Sequence, residues 1–151
     1  MRISAKTDYA VRALLELAAA EEPPLKRDEI AAAQAIPVKF LESILAELKH
    51  GGIVNSQRGA EGGYWLARPP DQVTVAEVMR VIEGPLASVR EQRPEDLSYT
   101  GSAERLRDVW VALRANMRDV LENTTLADVV ADDLPREVRD LTKKKESWVS
   151  H

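Results

Sequence analysis

Three polar side chains, Lys39, Glu42 and Ser43, follow closely after Pro37 at the beginning of an amphipathic stretch. Residues three or four positions apart share one face of a helix, so these side chains are expected to point the same way. A lysine on such a face can reach guanine or phosphate, and a glutamate can accept a hydrogen bond from the amino group of cytosine. The pattern indicates contact with DNA bases, and its alternative is the solvated face of an ordinary surface helix.

A second candidate is Arg58, which lies between Gln57 and Gly59 in a glycine-rich turn. An arginine at such a tip can enter a minor groove or hold a phosphate, and the alternative is an exposed arginine without a partner. Together with Gly62 and Gly63 the segment superficially resembles a phosphate-binding loop. It lacks the Gly-Lys-Ser/Thr ending, however, and it joins two strands instead of opening a helix, so a hairpin turn explains it better.

The start of the chain adds further candidates for contact with backbone phosphate, although segments of mixed charge are common at chain starts. The complete predicted DNA-contacting set is Arg2, Lys6, Thr7, Pro37, Lys39, Glu42, Ser43, Gln57, Arg58 and Gly59.

The helix that carries the first candidates is predicted to open at Pro37, whose missing N–H costs nothing in a first turn, and to end at Gly51-Gly52. Two helices are predicted before it, over residues 6–20 and 26–33, with a tight turn over residues 34–36. The predicted buried face of the third helix consists of Phe40, Leu41, Ile44, Leu45 and Leu48.

Two strands are predicted next, over residues 53–57 and 64–67, with Arg58 in the turn between them. Thr74 is predicted to cap a further helix, with Glu77 completing a capping box. Three helices followed by a hairpin wing predict a winged helix-turn-helix head, whose third helix enters the major groove. The predicted fold class is therefore mainly α with a small β-hairpin wing.

The second half of the chain contains its longest amphipathic pattern, over residues 102–122. This apolar stripe exceeds what the head can cover, which favours burial against a second copy of the chain. The alternatives for Trp110 and Met117 are core positions or the lining of a ligand pocket. The predicted dimerisation residues are Leu106, Val109, Trp110, Leu113, Met117 and Val120.

The predicted organisation follows from these elements. It comprises a winged helix-turn-helix domain over residues 1–84, a loop over 85–101, a dimerisation helix with further C-terminal helices over 102–141, and a tail over 142–151.

Composition excludes several kinds of site. The chain has no cysteine, which removes disulfides, thiol catalysis and cysteine-ligated zinc or iron–sulfur centres. Its two histidines are too few and too scattered for a histidine metal site, and Ser43 has no plausible general base. A cation site is one interpretation of Glu91, Glu95 and Asp96, but a solvated acidic loop explains these carboxylates better. We therefore expect no enzyme activity, no metal and no cofactor.

The net charge of −4 does not by itself suggest DNA. Residues 1–70 hold nine basic and nine acidic residues, whereas residues 71–151 hold twelve and sixteen, so the acidic excess lies outside the three predicted helices and the wing. DNA affinity depends on the local field at the contacts. The near-apolar run over residues 13–20 is too short to span a membrane, and the first residues lack a secretory signal. A cytoplasmic protein is expected.

Taken together, these motifs resemble the Rrf2 family of bacterial winged helix-turn-helix transcription regulators, in the group that contains IscR. The resemblance covers residues 1–130. Its most specific part is Arg58-Gly59 with Gly62-Gly63-Tyr64. The other segments that carry it are Met1-Arg2-Ile3-Ser4, Asp8-Tyr9-Ala10-Val11-Arg12, Ile36-Pro37, Phe40-Leu41-Glu42, Leu45-Ala46-Glu47-Leu48, Gly52-Ile53-Val54, Leu66-Ala67, Thr74, Glu83-Gly84-Pro85-Leu86 and Thr125-Leu126-Ala127-Asp128.

The resemblance implies a homodimer that represses or activates transcription at palindromic operators, and this chain is expected to be a repressor. Cluster-binding members carry three cysteines in the loop that corresponds to residues 90–100, and this chain has none. Some members also use an acidic residue and a histidine on the first helix. Asp8 could match the former, but Arg12 stands in place of the histidine. The chain is therefore expected to be a cluster-free member.

Its signal would then be a small-molecule effector or a partner enzyme, or it would respond to no signal. The alternative function is an interaction module whose main partner is a metabolic enzyme, as in the cysteine-metabolism repressor of the family.

Overall fold

Seven α-helices and one antiparallel hairpin make up residues 2–150, the part of the chain that the computed structural model describes. Met1, the first residue of the family-like motif, and His151 of the predicted tail lie outside the described residues. The mainly α class with a small hairpin is confirmed. The elements are α1 (Ala5–Ala19), α2 (Arg27–Gln34), α3 (Val38–His50), β1 (Val54–Gln57), β2 (Gly63–Leu66), α4 (Val75–Glu83), α5 (Leu106–Leu121), α6 (Leu126–Val130) and α7 (Arg136–Thr142).

The first helix lies at the centre of the head. Its N-cap is Ser4, whose hydroxyl accepts a hydrogen bond from the backbone N–H of Thr7 at 3.1 Å. Ala10, Ala13 and Leu14 on its inner face are fully buried. Helices α2, α3, α4 and α6 and strand β2 all pack against this face, so α1 sets the positions of the other elements of the head.

The turn between α2 and α3 passes through Ala35, which adopts the left-handed conformation with φ of 50°. Pro37 then caps α3, one residue before the helix begins. The predicted buried face of α3 is confirmed at its other positions but is wrong at Phe40, which is 60% exposed. Each helical residue is rotated by roughly 100° from the one before it. Phe40, directly before the buried Leu41, therefore lies at the edge of the apolar stripe.

The wing is formed by β1 and β2, which pair from Val54 opposite Leu66 to Gln57 opposite Gly63. The chain before α2 adds a third short segment, because Leu25 and Tyr64 exchange two backbone hydrogen bonds of 3.0 and 2.8 Å. Gly63 has φ of 149°, and a Cβ there would lie 2.5 Å from the carbonyl oxygen of Leu25. Only glycine therefore allows this close approach.

Thr74 caps α4 as predicted, since its hydroxyl accepts the backbone N–H of Glu77 at 3.2 Å. The second half of the predicted capping box is wrong. The Glu77 carboxylate instead pairs with Arg68, which the preceding chain brings beside the first turn of α4.

The loop between α4 and α5 is more ordered than its lack of periodicity suggests. Leu86, Pro94 and Leu97 are buried, and short 3-10 turns occupy Pro94–Asp96 and Gly101–Ala103. The helix predicted from residue 102 begins only at Leu106, because the second of these turns takes its first residues. None of the residues of α5 is fully buried.

The short helix α6 returns to the head, although the sequence groups it with the C-terminal segment. Leu126 is fully buried in the same core as α1. The backbone N–H groups of Val75 and Leu126 donate to the carbonyl oxygens of Thr124 and Val73 at 2.9 and 3.0 Å. These contacts anchor the C-terminal end of α5 to the head.

This anchor generates a stability prediction. Leu126→Ala should lower the free energy of unfolding by about 2–5 kcal/mol, because it leaves a cavity in the head core. The matched control is Val130→Ala in the same helix, whose side chain is 43% exposed and whose loss should cost about 0.5 kcal/mol or less. Denaturant unfolding of both variants measures the difference. Equal midpoints would show that α6 does not stabilise the head.

Candidate nucleic-acid interface

The predicted contact residues of α3 lie on its solvent-facing side. Lys39, Glu42 and Ser43 are all exposed, and Pro37 is exposed at the beginning of the helix. Their exposure follows from the opposite face, where Leu41, Ile44, Leu45 and Leu48 are buried against α1 and its neighbours. The side chains are therefore free to contact a ligand that lies along α3.

Arg27 joins this surface from the first residue of α2. Its guanidinium group lies 3.4 Å from the Glu42 carboxylate, and both side chains remain substantially exposed. The pair is worth little to stability at such exposure. Its consequence is electrostatic, because Arg27 offsets the negative charge that Glu42 would otherwise present to a polyanion.

The wing tip is held by Lys26. Its ammonium group donates hydrogen bonds to the carbonyl oxygens of Gly59 and Ala60, at 2.9 and 2.7 Å. The neighbouring Arg58 and Gln57 remain exposed. The start of α2 thus contacts both predicted DNA-contacting regions. Lys26 forms hydrogen bonds with the wing tip, and Arg27 forms an ion pair with Glu42 on α3.

A cleft of about 440 Å³ separates the start of α2 from the wing. Three of its lining residues are basic, namely Lys26, Arg27 and Arg58, and Asp28 is acidic. The excess of positive charge suits a phosphate group between the start of α2 and the wing. Sequence reasoning missed Lys26 and Arg27; the available signal was an adjacent basic pair before a helix.

The predicted phosphate-contacting residues at the start of the chain differ in their exposure to solvent. Arg2 is exposed, and Lys6 forms an exposed ion pair with Glu47 at 2.7 Å, which a phosphate can replace. Thr7 is only 2% exposed, and its hydroxyl donates to the Glu83 carboxylate at 2.7 Å. The prediction that the Thr7 side chain contacts phosphate is therefore wrong, because that side chain ties α1 to the end of α4.

The contact between α1 and α4 also changes the pKa of the Glu83 carboxyl. Hydrogen bonds from Ser4 and then Thr7 lower the pKa of the Glu83 carboxyl below its ordinary value. The stabilisation from this lowered pKa is present above the unfolded-state pKa of the group. It is lost as the pH falls through the lower folded-state pKa.

The apolar stripe of α5 is partly covered, because Leu106, Trp110, Met117 and Val120 are half-buried and two further residues are exposed. Val109 is 56% exposed and Leu113 is 39% exposed. The Nε1 atom of Trp110 is buried without a hydrogen-bond partner among residues 2–150. Farther along the helix, Leu113, Met117 and Val120 line a mainly apolar cavity of about 520 Å³ between α5, the start of α1 and the end of α4.

Arg12, in place of a possible ligand histidine, has a structural role. It lies 3.0 Å from Asp8 and donates to the side-chain oxygen of Gln34 at 3.2 Å and to the Gln34 backbone carbonyl. Because Gln34 is the last residue of α2, these bonds connect α1 to the turn that leads into α3.

A three-helix head with an exposed third helix, followed by a hairpin with an arginine at its tip, defines a winged helix-turn-helix DNA-binding regulator. Comparison with known proteins agrees with this class. Residues 3–132 match the model of a family described as Rrf2, iron-dependent transcriptional regulator. The chain belongs to the Rrf2 family.

Its relatives support the assignment over most of their length. An HTH-type transcriptional regulator of Mycobacterium tuberculosis is 54% identical over 142 residues, which cover 93% of this chain and 88% of the relative. The solved structure of CymR, the global cysteine regulator of Bacillus subtilis, has a TM-score of 0.74 at 34% identity, covering 87% of this chain and 97% of CymR. The structure of T. potens IscR has a TM-score of 0.71 at 34% identity, and the match covers 87% of this chain and 88% of the IscR chain.

The residues of this chain do not fit an iron–sulfur cluster or an iron site of the usual kinds. There is no cysteine, Asp8 is paired with Arg12, and Glu95 is paired with Arg114. Within residues 2–150 no group of three potential ligands could hold a metal ion. Over the same residues, no helix has the length and apolarity needed to cross a bilayer.

The contacts of Lys26 generate a prediction about the wing. Lys26→Met should accelerate backbone amide exchange over residues 58–64 by about tenfold, because two hydrogen bonds to the wing tip are lost. Lys144→Met, in the exposed tail, removes the same charge and should leave the wing unchanged. Hydrogen–deuterium exchange with mass spectrometry measures both. Unaltered exchange in Lys26→Met would mean that β1 and β2 hold the tip without the lysine.

Proposed function

We propose that this protein is a homodimeric transcription repressor that binds a palindromic operator through α3 and the wing of each protomer, without an iron–sulfur cluster. The observation that carries the proposal is the continuity of the exposed contact surface. Arg27 meets Glu42 on α3 at 3.4 Å, and the adjacent Lys26 holds the wing tip at 2.7 Å. The start of α2 therefore contacts both α3 and the wing tip.

Each part of this surface has a distinct role in the proposed complex. An α-helix fits the major groove, so Lys39, Glu42 and Ser43 would meet base edges there. Arg58 would reach the neighbouring minor groove or a phosphate. Arg27 would exchange its contact with Glu42 for a phosphate, which releases the carboxylate to accept from a cytosine amino group.

The exposed residues in the apolar stripe of α5 support the proposed dimer. Large apolar side chains exposed along a helix face, such as Val109 and Leu113, favour burial against an identical helix of a second copy. Two-fold symmetry would then present two α3 helices to two half-sites about 34–36 Å apart. A palindromic operator matches that arrangement.

The proposal includes no catalytic step and places the protein in the cytoplasm, where bacterial DNA is found. The exposed side chains of α3 and the wing support the proposal, because they can form hydrogen bonds and charge contacts with DNA.

The wing contact is tested by Arg58→Ala. The operator is first obtained by selecting genomic fragments with the purified protein. Affinity for it should fall by about tenfold, with little change in melting temperature, because the exposed side chain contributes to binding and not to the core. Arg136→Ala, an exposed arginine on α7, is the charge-matched control. Fluorescence anisotropy at fixed salt measures both, and equal affinities would remove the wing from the proposed interface.

The dimer is tested by Leu113→Asp. A charge within the proposed seam should produce monomers, because burying an unpaired carboxylate is costly. Ala112→Asp adds the same charge one residue earlier, at an exposed position rotated away from the stripe, and should remain dimeric. Sedimentation velocity distinguishes the two species. A dimer that persists in Leu113→Asp would place the interface elsewhere.

A further inference from the structure

A second cleft, of about 430 Å³, shares the lining residues Gly84, Pro85 and Leu86 with the apolar cavity. We call it the arginine cleft, because four of its lining residues are arginines contributed by three parts of the fold. Its lining residues are Arg80, Gly84, Pro85, Leu86, Arg93, Glu95, Arg114 and Arg118. Arg80 comes from α4, Arg93 from the loop, and Arg114 and Arg118 from α5.

The carboxylates around the arginine cleft do not balance its positive charge. Glu95 pairs with Arg114. Glu122 pairs with both Arg80 and Arg118, the latter at 3.0 Å. Arg93 forms no salt bridge among residues 2–150, and its charge acts on Glu95 only at longer range, where it helps to lower the pKa of that carboxyl after hydrogen bonds from the Glu95 backbone and Arg114. Four guanidinium groups thus face two carboxylates in the described part of the chain.

Internal ion pairs account for Arg80, Arg114 and Arg118, whereas the exposed Arg93 lines the same cleft without such a pair. Like charges close together repel one another unless an anion lies between them. Guanidinium groups bind carboxylate and phosphate through paired hydrogen bonds, and arginine is enriched where such groups are recognised. The wall formed by Pro85 and Leu86 adds apolar contact for a carbon skeleton.

We propose that the arginine cleft binds a small multivalent anion that carries carboxylate or phosphate groups. The bound anion would contact Arg93 and share Arg80, Arg114 and Arg118 with the two glutamates. The residues that line the apolar cavity on α5, such as Leu113 and Met117, do not line the arginine cleft. The anion therefore does not compete with the proposed dimer seam.

The position of the arginine cleft also gives it a regulatory consequence, which rests on the proposed function. Helix α4 packs against α1 and α3 of the head, whereas α5 carries the proposed dimer seam. An anion held by Arg80 and Arg118 connects α4 to α5. It would bias the orientation of the head relative to the partner protomer, and hence the distance between the two α3 helices.

The test is calorimetric titration of the full-length protein with citrate in one arm and inorganic pyrophosphate in another, with sodium chloride at matched ionic strength as the reference. We expect saturable binding, with one site per chain, in at least one arm. Arg93→Gln should weaken it by about tenfold. Arg90→Gln removes the same charge from the same loop outside the cleft, and should bind as the unsubstituted protein does.

The absence of saturable binding in both arms would overturn the proposal, as would equal weakening by Arg90→Gln and Arg93→Gln, because that result would reflect net charge alone. Operator affinity measured with and without the anion that binds tests the regulatory part. A change that Arg93→Gln abolishes supports it, and an unchanged affinity overturns it. Since the titration contains no DNA, anion binding and the proposed function can fail separately.

Discussion

The burial of α1 is the constraint on which the other features of this protein depend. Ala10, Ala13 and Leu14 have no exposed surface, and the small alanine side chains let neighbouring helices approach closely. Helices α2, α3, α4 and α6 each bury a face against this helix. The exposed face of α3 is a consequence of that packing, because a helix with one face in the core must present the opposite face to solvent.

Polar contacts at the edge of this core then set the geometry of the candidate interface. Arg12 connects α1 to the end of α2, and Lys26 connects the start of α2 to the wing tip. Each contact is modest by itself, since net hydrogen bonds contribute about 1 kcal/mol. Their effect is positional, because in the proposed complex α3 and the wing contact two grooves of one DNA duplex and must be held in a fixed relation.

The proposed anion site lies in the region between the head and α5. The loop over residues 85–101 has no cysteine, yet it contributes Pro85, Leu86 and Arg93 to the arginine cleft. Leu126, which follows the C-terminal end of α5, is buried in the core of the head. In the proposal, an anion in the arginine cleft lies near the connection between the head and the proposed dimer seam.

The sequence alone determined the features that depend on neighbouring residues. Pro37 before α3, Thr74 at the cap of α4 and the glycine-rich turn of the wing are readable because local backbone preferences place them. The exposed side of α3 was predictable from its periodicity.

Only the tertiary structure decided the contacts between residues distant in the chain. It left Phe40 exposed at the stripe's edge, buried Thr7 against Glu83, and brought Lys26 to a wing tip more than thirty residues away. The physical reason is that such contacts depend on how helices pack, and neither side-chain type nor spacing specifies a partner that only packing brings near.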